Sequence, residues 1–315
     1  MSGPPAARRL PGMVEVRTYD ADGGELILGA SGVTTLADGS VIVADKLDYA
    51  VKKFSRTGKF LRRAGGRGTG PGQFRGPGPC SSWRNVVAVA DFLQARVLLF
   101  DSDLRYRASI ETPGPVVDVK FDAGGSIWIS TCGPALGADL YQLEIAGRVR
   151  RVIPLKNTSR NVFDNVALFT IGPKGIIAAA YLTRNILEFW DTSGTFIREL
   201  TLTGLPAKSP RVTEWTEERQ RTQTIPEGEV IRSLTMDREG NLLVLCGSFT
   251  EHPDRDVIVL NSDGASVGRF VLCARSFMIG AGSKGYLYSI EQERTIVRQY
   301  LLDYGVRRRT NSHRR

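Results

Sequence analysis

The chain has 315 residues, 42% hydrophobic and 24% charged, with a formal net charge of +9. That composition describes a globular protein with ample material for a core and excludes a low-complexity or disulfide-scaffold chain. No apolar run reaches the roughly 18 residues of a membrane-spanning helix. The basic start Met1–Leu10 has no apolar segment behind it, so it does not read as a signal peptide.

The first predicted elements are strands Val14–Tyr19 and Glu25–Leu28, joined by Asp22-Gly-Gly24. Then comes a unit that recurs. Gly32–Leu36, an Asp-Gly turn at Gly39, Val41–Asp45, Ala50–Phe54 and Lys59–Arg63 read as four strands. A second copy holds Ser81–Trp83, Asn85–Asp91 and Arg96–Phe100. A third holds Val116–Phe121, Ser126–Ser130 and Asp139–Leu143. Val166–Ile171, Ile176–Ala180 and Ile186–Trp190 make the fourth. The fifth is Ile231–Met236, Asn241–Leu245 and Asp256–Leu260, and the sixth Ser276–Gly280, Tyr286–Ile290 and Thr295–Tyr300.

First-hairpin turns at Gly39, Asn85, Gly125, Gly175, Gly240 and Gly285 are separated by 46, 40, 50, 65 and 45 residues. This is the period of a four-stranded propeller blade, with Gly, Asp and Asn at tight hairpin turns. The pattern predicts an all-β chain forming a six-bladed β-propeller of four-stranded antiparallel blades. The sixth copy lacks a fourth strand, so an N-terminal strand is expected to complete it and close the ring. The expected organisation is a disordered N-terminal tail 1–13, a propeller 14–305 with an insertion at about 203–229, and a basic C-terminal tail 306–315. A monomer is expected.

The charge is mostly terminal. Arg8, Arg9, Arg307, Arg308, Arg309, Arg314 and Arg315 lie in the two ends, and the near-neutral body makes nucleic acid an unlikely partner. The four cysteines, Cys80, Cys132, Cys246 and Cys273, have no C-x-x-C spacing and are expected as buried small hydrophobes.

Gly65-Gly-Arg-Gly-Thr-Gly-Pro-Gly-Gln-Phe74, flanked by Val43–Asp45, Val51–Phe54, Val89–Asp91 and Arg96–Phe100, resembles the NHL repeat. The resemblance covers roughly residues 32 to 110, and the chain as a whole is similar to bacterial six-bladed propeller proteins of that type. The resemblance implies a ring that binds proteins or RNA. Many of its bacterial relatives are exported or lipid-anchored, and related six-bladed rings include lactonases and amidating lyases. Compartment is not fixed by any of this.

Two motifs are decoys by context. Gly264-Ala-Ser-Val-Gly268 fits G-x-S-x-G, but a nucleophile elbow needs a strand-to-helix turn and Ser266 lies in a predicted hairpin. Gly280–Gly285 fits G-x-G-x-x-G, but a strand follows where a dinucleotide site needs a helix. His252 and His313 are the only histidines, so multi-histidine zinc chemistry cannot form. His252 reads as a loop residue. No catalytic residue is assigned.

Asp45 and Asp91 match the NHL aspartate. They are expected to cap backbone amides of the next loop, and are weak candidates for Ca²⁺, the one cofactor left open because it needs only oxygen ligands. The corresponding positions elsewhere are read as Ser130, Ala180, Cys246 and Ile290.

Antiparallel pairing sends the second-to-third-strand loops and the blade linkers to one face. That face is expected to carry Arg67, Arg96, Arg184 and Arg275, together with the insertion. Within it, Ser209-Pro210 suggests a helix over Arg211–Gln223 bearing Trp215. These five residues are the candidate ligand contacts; Arg67, Arg184 and Arg275, with Arg219 and Arg221 of the insertion, are expected either to converge on the ring mouth free of carboxylate partners or to be neutralised locally by Glu214, Glu217 and Glu218. The leading expectation is a non-enzymatic scaffold docking a protein or a small anionic ligand there. A calcium-dependent lactonase-like enzyme is the alternative, and an RNA-binding propeller the next.

Overall fold

The computed structural model describes residues 12–22, 25–132, 139–156, 162–216, 221–282 and 285–303. They form six four-stranded antiparallel sheets arranged as the blades of a six-bladed propeller. Blade 1 is Ala30–Thr35, Val41–Asp45, Ala50–Phe54 and Phe60–Gly65. Blade 2 is Pro77–Trp83, Val86–Asp91, Arg96–Asp101 and Tyr106–Glu111. Blade 3 is Val116–Phe121, Ile127–Thr131, Asp139–Leu143 and Val149–Pro154. Blade 4 is Ala167–Ile171, Ile176–Tyr181, Ile186–Asp191 and Phe196–Thr201. Blade 5 is Ile231–Met236, Leu242–Cys246, Asp256–Leu260 and Ser266–Val271. Blade 6 is Ser276–Ala281, Tyr286–Glu291 and Val297–Asp303, completed by Gly12–Tyr19.

The first strand of each blade lies nearest the ring axis. The second strands are buried along most of their length, wholly so in Val41–Asp45, Ile127–Thr131 and Leu242–Cys246. The core is accordingly six wedges between blades rather than one centre. Leu36, Ile42 and Val51 of blade 1, for example, pack on Val87, Val89 and Leu98 of blade 2. The turns at Gly39, Gly125, Gly175, Gly240 and Gly285 all have positive φ, the conformation a glycine adopts without steric cost. In blade 2 the left-handed residue is Arg84, φ 51°, one position before the expected Asn85.

The ring closes through the N-terminal strand. Gly12–Tyr19 pairs antiparallel with Val297–Asp303, with Met13 opposite Leu302 and Tyr19 opposite Val297. Tyr19 reaches into the core and meets Phe54 of blade 1 edge-on at 6.0 Å. The second N-terminal segment, Glu25–Leu26, forms only a short ladder with Ala21–Asp22.

The insertion is a β-hairpin, Arg211–Thr216 paired with Arg221–Pro226, where the sequence suggested a helix. Its composition explains the correction. Val212, Thr213, Thr216, Thr222, Thr224 and Ile225 are β-branched, which disfavours helix and suits a ladder, and Thr213 sits directly opposite Thr224. The hairpin base is pinned by Asp164, fully buried, which takes Lys208 at 2.7 Å and Thr183 Oγ1 at 3.0 Å and also pairs with Arg211. Burial alone would raise the Asp164 carboxyl, but its bonds to Lys208 and Thr183 and the charge of Arg211 hold it below the usual carboxylate range.

Candidate functional site

The loops between second and third strands and the blade linkers do share one face. On the ring axis at that face lies a funnel of about 360 Å³. Its construction follows from a repeated irregularity. Five of the six inner strands shift register near their start, between Ala30 and Gly32, Pro77 and Cys80, Val116 and Asp118, Ile231 and Ser233, and Ser276 and Met278. A β-bulge re-aims the extra residue. Here the extra residues Ser31, Gly78, Pro79, Val117, Arg232 and Phe277 all line the funnel.

Below them the inner strands are laced together, which consumes the polar groups of the axis. Ser31 Oγ donates to Pro77 O at 2.7 Å, and Ser233 Oγ accepts from Ile279 N at 3.1 Å. Asp118 accepts from Val119 N at 2.8 Å and pairs with Lys120 at 2.5 Å. Close approach at this level demands glycine at 32, since a Cβ there would stand 2.7 Å from Cys80 N and Gly78 O. Leu234 and Met278 line both this funnel and a second cavity of about 390 Å³ at the opposite mouth, and so form an apolar waist.

The upper wall is apolar around most of its circumference. Phe92 and Leu93, on a single 3-10 turn, stay exposed at the rim, and Leu168, Leu182 and Cys132 face inward. Charge is concentrated between blades 5 and 6. Arg232 donates to Asp254 at 2.7 Å and stands 3.5 Å from Glu229, while Arg275 takes the other Asp254 oxygen at 2.6 Å. The Arg232 and Arg294 guanidinium carbons lie 5.7 and 3.7 Å from the ring centre of Phe277. Arg294 is held in the left-handed region, φ 62°, by its own backbone, which donates to Glu291 O and accepts from Ala30 N. Burial lowers the Arg294 guanidinium and the charge of Arg232 lowers it further, with Glu229 opposing. Glu229 moves the other way: burial raises its carboxyl, Asp254 adds to this, and the two arginines oppose it.

The sequence-selected residues are distributed differently. Arg96 is buried and turned into its own blade linker, donating to Thr69 O at 3.2 Å and Gln73 O at 2.7 Å. Arg67 lies over Tyr49 at 5.4 Å on the same linker. Arg184 donates to Asp164 O at 2.7 Å and covers Tyr181. Arg275 has its carboxylate, Asp254. Trp215 sits on the hairpin, its side chain outside the described residues, as are the 133–138 loop, Arg160 and Arg219. None of the four arginines lines the funnel, and among the described residues the expected convergence of unpaired arginines on the mouth is not found. Arg67 and Arg96 share one linker, whereas Arg184 and Arg275 stand at other blade junctions.

Asp45 and Asp91 do cap backbone amides, but chiefly those of the linker that precedes their blade rather than of the loop that follows, where Asp48 N donates to Asp45. Asp45 takes Leu28 N at 2.8 Å and Gly29 N at 2.9 Å, and Asp91 takes Gly76 N at 2.9 Å and Gln94 Nε2 at 2.6 Å. Asp45 also pairs at 2.9 Å with Lys52, a lysine only 1% exposed. Burial would depress this ammonium, but its bonds to Asp45 and Asp48 raise it overall. Ladder register corrects the equivalent positions to Thr131, Tyr181, Cys246 and Glu291, because three of the second strands run one residue beyond their apolar stretch. Glu291 therefore supplies a third carboxylate in this column and spends it on Arg298. Among the described residues no group of three or more His, Cys, Asp or Glu side chains is placed to hold a metal ion.

The decoys fall where context put them. Ser266 opens the exposed outer strand of blade 5, and Gly280 ends on a strand that leads to another strand. His252 lies in the blade 5 loop, its N–H donated to Asp256 at 3.1 Å. Cys80 and Cys246 are buried, burial pushing each thiol up to about 12. Cys132 is only half-buried and Cys273 is exposed, contrary to the expectation for all four.

An axial funnel on the loop-bearing face of a six-bladed propeller defines the class. Within that class the chain is similar to virginiamycin B lyase from Staphylococcus aureus, at 12% identity and a TM-score of 0.57 over 92% of this chain and 99% of that one. A catalytically inactive histidine-to-alanine variant of the same lyase, solved with quinupristin, gives 14% identity and a TM-score of 0.58 over 94% and 90%. Kuenenia stuttgartiensis hydrazine synthase gives 12% and 0.57 over 87% and 95%. At such identities the likeness is one of fold. No family model matches the chain, and no curated protein is similar to it in sequence.

Proposed function

We propose that the chain is a non-enzymatic binding propeller of NHL-like type and that the axial funnel, on the insertion-bearing face, is its ligand site. The observation that carries this reading is the division of labour at the funnel. The axial hydroxyls and Asp118 are spent on bonds between and within blades, while the bulged residues other than Arg232 offer the cavity a largely apolar wall, with Glu229, Arg232 and Arg294 gathered at blades 5 and 6 and Lys46 on the blade 1 loop. Enclosed apolar concavities with a few placed polar groups suit small molecules better than flat protein surfaces do. The lyase among the structural neighbours is inactivated by loss of a histidine, whereas the funnel lining here contains no histidine.

The test uses a neutral fluorescent probe, N-phenyl-1-naphthylamine. It should bind with a fluorescence rise and slow the alkylation of Cys132 by iodoacetamide without protecting exposed Cys273. Val117→Trp, which fills the mouth, should abolish both effects. Binding that survives Val117→Trp would place the site elsewhere. Chemical conversion of a natural ligand during incubation with the protein would replace the non-enzymatic reading by an enzymatic one.

A further inference from the structure

We infer that the ligand of the funnel is an amphipathic anion, with its apolar body against the bulged inner strands and its anionic group received by Arg294 beside Phe277. The inference rests on the funnel being the binding site, and it departs from the arginines chosen by sequence.

Three observations point to Arg294. Arg232, the other guanidinium beside the Phe277 ring, already has Asp254 at 2.7 Å and Glu229 at 3.5 Å. Arg294 has no ion pair or side-chain hydrogen bond among the described residues; its contact is the face of Phe277 at 3.7 Å. A guanidinium carries five N–H donors in a planar fork, and one ring face satisfies none of them. Its position is also built rather than accidental. A left-handed φ of 62° on an arginine is sterically unfavourable, and it is maintained because the backbone of residue 294 joins blade 6 to Ala30 of blade 1.

Electrostatics sets the sign of the missing partner. Two guanidinium groups flank one ring, and the nearest acid on the funnel wall, Glu229, stands within ion-pair distance of Arg232 alone. An arriving anion relieves the repulsion between the two cations and supplies the acceptor that Arg294 lacks. The planar fork favours carboxylate, sulfonate or phosphate oxygens over a neutral carbonyl. Most of the rest of the wall, including Val117, Leu168 and Leu182, is apolar and suits an apolar body, with Lys46 of the blade 1 loop the other cation that lines it.

The test compares two dyes that differ by one group: 1-anilinonaphthalene-8-sulfonate and N-phenyl-1-naphthylamine, which lacks the sulfonate. The wild-type protein should bind the sulfonate about tenfold more tightly, as expected for a charge-assisted hydrogen-bonded contact, and that preference should shrink with added salt. Arg294→Gln should erase the preference while leaving the neutral dye bound as before, which also reports that the variant is folded. Arg67→Gln, outside the funnel, should change neither dye. Equal affinity of the wild type for both dyes would overturn the anionic-ligand inference and leave the funnel reading standing. A preference that survives Arg294→Gln, or that is lost in Arg67→Gln, would overturn the assignment to Arg294. Failure of both dyes to bind would remove the funnel reading and this inference with it.

Discussion

Blade 1 and blade 5 both bury an aspartate and a basic partner, yet they place the acid differently. In blade 1 it is Asp45, last residue of the second strand, whose partners are two linker amides, Asp48 N and Lys52. Every one of these belongs to the blade's own periphery. In blade 5 that position is Cys246, and the acid has moved into the following loop as Asp254. From there it reaches Arg232 on the inner strand and Arg275 on the linker to blade 6. A buried ion pair confined within a blade can only hold the blade together. The same device moved into a loop couples the rim to the axis and fixes a charged group at the funnel.

The sharpest way to break that contrast is Asp45→Ala. It orphans three backbone amides and deprives Lys52 of its buried acid. Removing one partner of a buried pair typically costs about 3–5 kcal/mol, and a loss of that size is expected in denaturant unfolding. Dye affinity of the remaining folded protein should be unchanged, since Asp45 does not face the funnel. Asp254→Asn should behave oppositely. Asparagine tolerates the left-handed φ of 60° found there, so the stability loss should be smaller, roughly 1–3 kcal/mol. Releasing Arg232 adds unneutralised positive charge at the funnel, so the sulfonate dye should bind several-fold more tightly and the neutral dye equally. Weaker sulfonate binding in Asp254→Asn would mean that Asp254 matters only by holding Arg232 in place.

The same contrast explains what could be read from the sequence. Blade periodicity, turn glycines, the capping role of Asp45 and Asp91 and the N-terminal closure are local patterns, and strand alternation reports them directly. The loop-bearing face also follows from antiparallel pairing alone. Which side chains on that face point to the axis does not follow, because a bulge breaks the period of two on which such reasoning depends. Arg232 and Phe277 are invisible to alternation for that reason, and Arg294 depends on a left-handed residue in a loop. Alignment of the six repeats offers a signal: Ser31, Gly78, Val117, Arg232 and Phe277 stand in one column near the start of the inner strand. Arg67, Arg96, Arg184 and Arg275 are on the correct face, but short loops give them carbonyls, rings or Asp254 close at hand. The hairpin is hard to read from sequence because Pro210 resembles a helix start, while the six β-branched residues after it favour strands.

The smallest expected effect concerns Glu229, which sits between the blade 5 pair and the open guanidinium. Its backbone is fixed by Gly247, where any Cβ would fall 2.0 Å from Glu229 O. Burial raises its carboxyl and Asp254 adds to that, against Arg232 and Arg294; Lys46 and the Asp118–Lys120 pair are the other charges of the axis. A raised carboxyl binds its proton in the folded state at a pH where the unfolded chain has lost it. The stabilising contribution of that proton is therefore present at low pH and disappears as pH rises through the raised value. Ligand binding follows the same sign. As pH is lowered toward the carboxylate range, Glu229 neutralises earlier than an ordinary glutamate, so a sulfonate, which stays ionised throughout, should bind about threefold more tightly by the Coulomb relief of one nearby charge. Glu229→Gln should hold the tighter affinity at every pH and flatten the profile. Histidine is the usual group titrating between pH 5 and 8, so His252→Ala is the control, and it should leave the slope intact because that residue does not line the funnel. A slope that vanishes with His252 and persists without Glu229 would move the pH response from the funnel wall to the blade 5 loop.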